Sequence, residues 1–155
     1  MLPYRLRPRW SRLHGRELST ATQLRNALDR GAPIDIHPEV EDALASNKPV
    51  VALETTVITH GIPRPHNYTL GRSLENTVRS SGAIPATIGM IGGRVKIGLE
   101  DHELRRLAER RYQPVKLSRR DIAAAIAMKA DGGTCNTEKS PLMWCHLYLL
   151  ARDNM

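Results

Sequence analysis

The stretch VVALETTVITHGIPRPHN, Val50–Asn67, runs from four apolar residues into a carboxylate, then into hydroxyls, two histidines and two prolines. Val50–Leu53 has the composition of a buried strand. Glu54 follows it directly, at or near the C-terminal end of what reads as a parallel strand. In α/β sheets, ligands gather at the carboxyl ends of strands, and a carboxyl held there can hand over a proton. Position alone is equally compatible with a solvated acid, or with one paired to a nearby arginine. Thr55, Thr56, Thr59, His60, Gly61, Pro63, Pro65, His66 and Asn67 then make a shaped polar turn. The spacing of His60 and His66 is not a metal-binding pattern.

Outward from this stretch, strand and helix signals alternate. Upstream, PEVEDALASN reads as a short helix, with Pro38 in its first turn and Asn47 at its end. Downstream, Asn67 suits a helix N-cap. Leu70, Leu74 and Val78 repeat at helical spacing, and Gly82 is a stop. Ala83–Ile91 reads as a second buried strand, and Gly92-Gly93 as a hairpin turn into Arg94–Ile97. EDHELRRLAERR has acids at its start and arginines at its end, as a helix prefers. Pro114–Leu117 is a short strand. Ser118 and Asp121 form a capping signal for the helix RRDIAAAIAMKA, which Gly132-Gly133 would terminate. The pattern predicts an α/β fold, a mixed sheet with helices packed around it.

The 155 residues suit one domain with a real core. No Phe is present and aromatics make up 4%, so that core must rest on Val, Ile, Leu and Ala. The net charge is +7, of which +5 falls in residues 1–30, leaving +2 on the body. A nucleic-acid-binding protein would spread cations over a folded face, so the charge argues against one. The leader, 1–32, interleaves Arg5, Arg7, Arg9 and Arg12 with Leu2, Leu6, Trp10 and Leu13, and has no acid before Glu17. It reads as a mitochondrial presequence, with a disordered basic arm in a cytoplasmic protein as the alternative. The longest apolar run, LMWCHLYLLA, is too short to span a bilayer. Cys135 and Cys145 form no metal or disulfide motif and read as two free thiols.

Lys116, in VKLSRRD, lies between a short strand and a capped helix start, where an anion can be held. Taken alone, it reads as a solvated basic residue. No Gly-rich phosphate fingerprint is present, since GMIGG does not open a helix.

Three blocks, VALETTVITHGIPRPHN, GAIPATIGMIGGRVKIGL and VKLSRRDIAAAIAMKADGGT, resemble in order and spacing the N-terminal half of the pseudouridine-5'-phosphate glycosidases. The resemblance covers about Ile36–Thr134, the core of a unit at 33–134. It implies an α/β homotrimer that uses a divalent metal, usually Mn2+. It also implies reversible cleavage of pseudouridine 5'-phosphate to uracil and ribose 5-phosphate. The bond is carbon–carbon, so there is no leaving oxygen for an acid to protonate, unlike an ordinary glycoside. The family is thought to open the ribose and form an imine with a lysine. By resemblance, Glu54 is the catalytic acid, Lys116 a substrate-binding lysine, and Thr134 the first Thr of a TTV segment at the ligand site.

There the motif match stops: Cys135 and Asn136 replace the family's Thr and Val. The family's metal-binding aspartate and imine-forming lysine lie further along, and the tail 135–155 has no equivalent. The expectation is a truncated copy, its fold incomplete relative to the family's, with no metal ligand of its own and no activity alone. In this reading the small molecule pseudouridine 5'-phosphate is the partner, nucleic acid and membrane are not, and the family's homo-oligomer is not expected to carry over to this chain. Some eukaryotic family members are fused to a sugar kinase. The alternative functions are a non-enzymatic α/β fragment or subunit-interaction module and, less favoured, a basic mitochondrial RNA-associated protein.

Overall fold

The computed structural model describes Asn26 and residues 28–135. The leader up to residue 25 and the tail from 136, with Cys145, lie outside the described residues. Six strands form a mixed sheet: β1 (Ile34–Ile36), β2 (Val50–Leu53), β3 (Ile84–Ile91), β4 (Arg94–Ile97), β5 (Val115–Leu117) and β6 (Gly132–Thr134). The helices are α1 (Pro38–Ala45), α2 (His66–Ser80), α3 (Asp101–Ala108) and α4 (Ile122–Ala127). A π-helical turn spans Val57–Gly61 and a 3-10 turn Arg110–Tyr112. Among the described residues no helix is long and apolar enough to cross a membrane.

The eight-residue β3 is the axis. β4 pairs antiparallel along one edge, with β1 parallel beyond it. The other edge is shared end to end. β2 runs parallel to β3 over Ile84–Thr87, and β6 runs antiparallel to it over Gly89 and Met90. β5 lies outside β6, parallel to it. Gly92 (φ 57) and Gly93 (φ 78) build the β3–β4 turn in the left-handed region, which glycine enters at no steric cost.

The pleat divides the core between two faces. Val50, Ala86, Met90, Val95, Ile97 and Leu117 pack with Val40 and Ala43 of α1 and Ala125 of α4. On the other face, Leu104 and Ala108 of α3 pack with Ile58 of the π-turn. Gly89 lies beneath this layer, where an added Cβ would sit 2.7 Å from Leu107 Cδ1.

Several local expectations need correction. The N-cap position of α2 is Pro65, and Asn67 lies inside the first turn, 3% exposed. Its amide nitrogen donates to Ile58 O and Ala108 O, both at 2.9 Å, joining three elements. The most buried stripe of α2 is Asn67, Gly71 and Glu75, with Leu70, Leu74 and Val78 half-buried beside it. Apolar periodicity overlooks this stripe because its residues are buried for other reasons. A Cβ at Gly71 would lie 2.9 Å from Ile58 Cδ1, so the close packing there needs glycine. Glu75 accepts the Thr87 hydroxyl proton at 2.6 Å.

The Ala-rich helix is only six residues, Ile122–Ala127. Asp121 accepts from Ser118 N (2.8 Å), the reach-back bond of the expected capping box, and from Ser118 Oγ (2.6 Å), while the helix itself begins only at Ile122. Gly132 and Gly133 do not end that helix; they form a buried strand. β1 has no signal beyond three residues, IDI, and is held by its pairing with β4.

Candidate functional site

β2 and β6 run toward each other along one edge of β3, and their carboxyl ends meet at Ile88. Continued registers would bring both Glu54 and Thr134 opposite that residue. One backbone position cannot complete two ladders, and a side chain resolves the conflict. The Thr55 hydroxyl, fully buried, donates to Ile88 O at 2.7 Å and accepts from Thr134 N at 3.0 Å. The Thr134 hydroxyl also donates to Ile88 O, at 2.8 Å. Thr55 thus stands in for the ladder bond that would continue β6 along β3. Among the described residues no buried side-chain nitrogen or oxygen lacks a hydrogen-bond partner, as the low dielectric of an interior requires.

The turn after Glu54 is fixed to the same strand end. Thr56 Oγ1 donates to Gly133 O at 3.2 Å. Thr59 Oγ1 contacts Thr55 O at 3.2 Å, inside the π-turn. Gly133 must be glycine, since a Cβ there would run into Thr59 Oγ1 and approach Thr55 O at 3.0 Å. The VITHG turn and the GGT strand, far apart in sequence, therefore fit each other.

Glu54 is exposed just past β2. Thr134 is 2% exposed, with its hydroxyl and its N–H both engaged as described. Lys116 is exposed in the middle of β5, opposite Gly133. Registered residues share a face of the sheet, so Lys116 lies on the face that carries the Thr55–Thr59 turn. The fold thus gathers the strand ends bearing Glu54 and Thr134, and sets Lys116 one strand further out. Thr55, which organises the junction, was read in the sequence only as one hydroxyl of a polar turn. No local pattern marks its role, because both of its partners are distant backbone groups.

A cavity of about 540 Å³ opens beside the junction, lined by Thr59, His60, Arg64, Asn67, Leu107 and Gln113 among others. Glu54, Lys116 and Thr134 do not line it. His60 Nδ1 lies 2.7 Å from Thr59 Oγ1. Among the described residues, no three His, Cys, Asp or Glu side chains gather so as to hold a metal ion.

Comparison with known proteins bears on this junction. The model of the family described as "Indigoidine synthase A like protein" matches residues 39–143. The match extends past Thr134, where the motif resemblance ends. A pseudouridine-5'-phosphate glycosidase of Salinispora tropica is 54% identical over 96 residues, 62% of this chain and 29% of that protein. A pseudouridine-metabolizing bifunctional protein of Schizosaccharomyces pombe is 46% identical over 112 residues, 72% of this chain and 15% of its own. Among solved structures, the prealnumycin C-glycosynthase AlnA in complex with ribulose 5-phosphate superposes with a TM-score of 0.57 at 37% identity. That superposition covers 66% of this chain and 32% of AlnA. An indigoidine synthase A-like protein of Thermotoga maritima gives 0.56 at 31% identity, over 65% and 32% of the two chains. The chain spans about a third of the length of the curated glycosidases it matches. With its α/β sheet and the motifs around Glu54, Lys116 and Thr134, the chain belongs to the indigoidine synthase A-like family, alongside the pseudouridine-5'-phosphate glycosidases.

Proposed function

We propose that this chain carries the acid-bearing part of a pseudouridine-5'-phosphate glycosidase site and is inactive by itself. The observation that supports this most is the convergence of the β2 and β6 ends at Ile88, with Glu54 exposed at the mouth of the junction. Glu54 is the group that would move a proton to or from substrate. Lys116, one strand out and exposed, suits the anionic end of a sugar phosphate. Thr134 holds the strand end through Ile88 and Thr55, and so acts by position. The family resemblance implies manganese. The described residues do not fit such an ion, so no step is routed through one.

The reading is tested by incubating the full chain with pseudouridine 5'-phosphate and manganese and measuring uracil. The expected result is no release above the protein-free control. Robust turnover, abolished by E54Q, would overturn the inactivity and support the site. Turnover unaffected by E54Q would overturn the role given to Glu54.

We also propose that the arginine-rich leader directs the chain to mitochondria. The run of Arg5 to Arg16 without an acid supports this.

A further inference from the structure

The cavity beside the junction has a floor and a rim of opposite character. Its volume is about 540 Å³, within the roughly 300–1,000 Å³ of small-molecule sites. Its walls come from the π-turn, the loop into α2, the end of α3 and the residues just before β5. The Asn67 amide bonds the π-turn at Ile58 O and the end of α3 at Ala108 O, both at 2.9 Å. Two of the walls are therefore fixed to each other inside the fold, and the shape is set before a ligand arrives.

The same pairing fixes which way the Asn67 amide points. Two carbonyl acceptors require its nitrogen, and both N–H bonds are then spent. No described residue donates to Oδ1. Among the described residues, no fully enclosed side-chain oxygen lacks a partner, so Oδ1 is not enclosed. Asn67 is 3% exposed and lines the cavity, which makes Oδ1 an acceptor at the cavity floor. A sheltered acceptor calls for an O–H or N–H donor.

The rim offers donors instead. His60, Arg64 and Gln113 line the cavity and are exposed. The one lining acid, Glu109, is held by Arg111 at 2.6 Å, so the Arg64 guanidinium faces no competing carboxylate within the cavity wall. His60 Nδ1 lies 2.7 Å from Thr59 Oγ1. Thr55 O, the nearer carbonyl in reach of that hydroxyl, already accepts from Ile58 N and Thr59 N at 3.0 Å. The hydroxyl proton is thus directed to Nδ1, and Nε2 carries the ring proton as a donor. Gln113 holds its carboxamide at the rim from left-handed backbone, φ 46, which a non-glycine residue adopts at a cost. Ile62, Leu107 and Pro114 give the space between floor and rim apolar walls.

We propose that this cavity binds a small organic acid that carries a hydroxyl. The oxyanion sits at the rim on Arg64, His60 and Gln113, and the hydroxyl donates to Asn67 Oδ1. A guanidinium matches two oxygens of a carboxylate or a phosphate at once. An acceptor inside and donors outside set the direction of entry: the hydroxyl goes in first, the aliphatic middle packs on Leu107 and Ile62, and the charge stays at the mouth. Glu54, Lys116 and Thr134 do not line the cavity, so the inference is independent of the function proposed above.

The test is a titration of the full chain with γ-hydroxybutyrate, and in a second arm with hydroxypropyl phosphate, followed by NMR at the Asn67 side-chain amide and the backbone amides of His60, Arg64 and Gln113. At least one arm should give saturable shifts at these groups, and the tighter arm identifies the oxyanion. The matching acid without the hydroxyl, butyrate or propyl phosphate, should bind about tenfold or more weakly, because Asn67 Oδ1 is then left unpaired. R64Q, at an exposed position, should also weaken binding about tenfold, with an unchanged far-UV circular dichroism spectrum showing that the fold is kept. The absence of saturable shifts in both arms would overturn the proposal, whether water alone or another part of the chain fills the cavity. Equal affinity with and without the hydroxyl would overturn the role of Asn67, and with it the proposal, as would binding that R64Q leaves unaltered.

Discussion

Replacing Thr55 with valine removes the hydroxyl that joins β2, β3 and β6 while keeping the side-chain volume nearly constant. In the wild type this hydroxyl donates to Ile88 O at 2.7 Å and accepts from Thr134 N at 3.0 Å, in a position with no solvent access. After substitution the Thr134 N–H is buried without an acceptor, a cost of about 1–3 kcal/mol. Loss of the bond to Ile88 O adds about 1 kcal/mol, moderated because Thr134 Oγ1 still donates there at 2.8 Å. T55V should therefore destabilise by about 2–4 kcal/mol, a large share of the roughly 5–15 kcal/mol typical of a domain. The control is T134V, which removes one donor from Ile88 O, leaves Thr55 in place and should cost about 1 kcal/mol.

Urea unfolding followed by circular dichroism measures both. With a slope of about 1 kcal/mol per molar, the midpoint should fall by about 2–4 M in T55V and about 1 M in T134V. Exchange of the Thr134 amide should accelerate in T55V beyond what global stability explains. Equal midpoints for the two variants would refute the reasoning. They would mean that β6 closes its ladder directly onto Ile88 and that the hydroxyl is dispensable.

Two further outcomes can be measured, one drawn from the structure and one from the sequence of the leader. Asp35 lies between Arg94 and Lys96, and hydrogen bonding from the Arg94 guanidinium lowers its pKa to about 2 from 3.8. Its stabilising contribution is therefore present above about pH 4 and lost as pH falls toward 2. The carboxylate is a third exposed, so the contribution is small. Urea midpoints measured from pH 5 to 2 should show a shallower acid loss in D35N than in wild type, and identical curves would count against the assignment. Residues 1–32 fused to a fluorescent protein should carry it into mitochondria, and changing Arg5, Arg7, Arg9 and Arg12 to glutamine should leave it in the cytosol. Diffuse fluorescence of the unaltered fusion would contradict the targeting reading.

The alternation of strands and helices was legible because its signals are local. Runs such as VVAL and AIPATIGMI, the Gly92-Gly93 turn, and acids at the start of α3 each act within a few residues. The capping box between Glu100 and Glu103 is an example, closed by a 3.0 Å bond from Glu100 N to the Glu103 carboxylate. Readings failed where a residue's environment comes from distant chain. Asn67 looked like a cap because Asn caps helices, but carbonyls from Ile58 and Ala108 hold it inside the helix. Gly132 and Gly133 looked like a helix stop because glycine ends helices. They are a strand because they pair with β3 and β5, and they are glycines because Leu117 and Thr59 leave no room for a Cβ.

The sequence by itself determined the element types and the α/β class, since short-range sterics and composition suffice for these; Glu54, Lys116 and Thr134 stood out only through the motifs that resemble the family. Only the tertiary structure decided that β2 and β6 share one edge of β3 and meet at Ile88. It also decided that Thr55 mediates their contact, and that the edge of β2 stays open among the described residues. Strand order and register depend on pairings across tens of residues, which no local pattern encodes. The acid after the apolar strand is placed by a contest between two strand ends for one carbonyl.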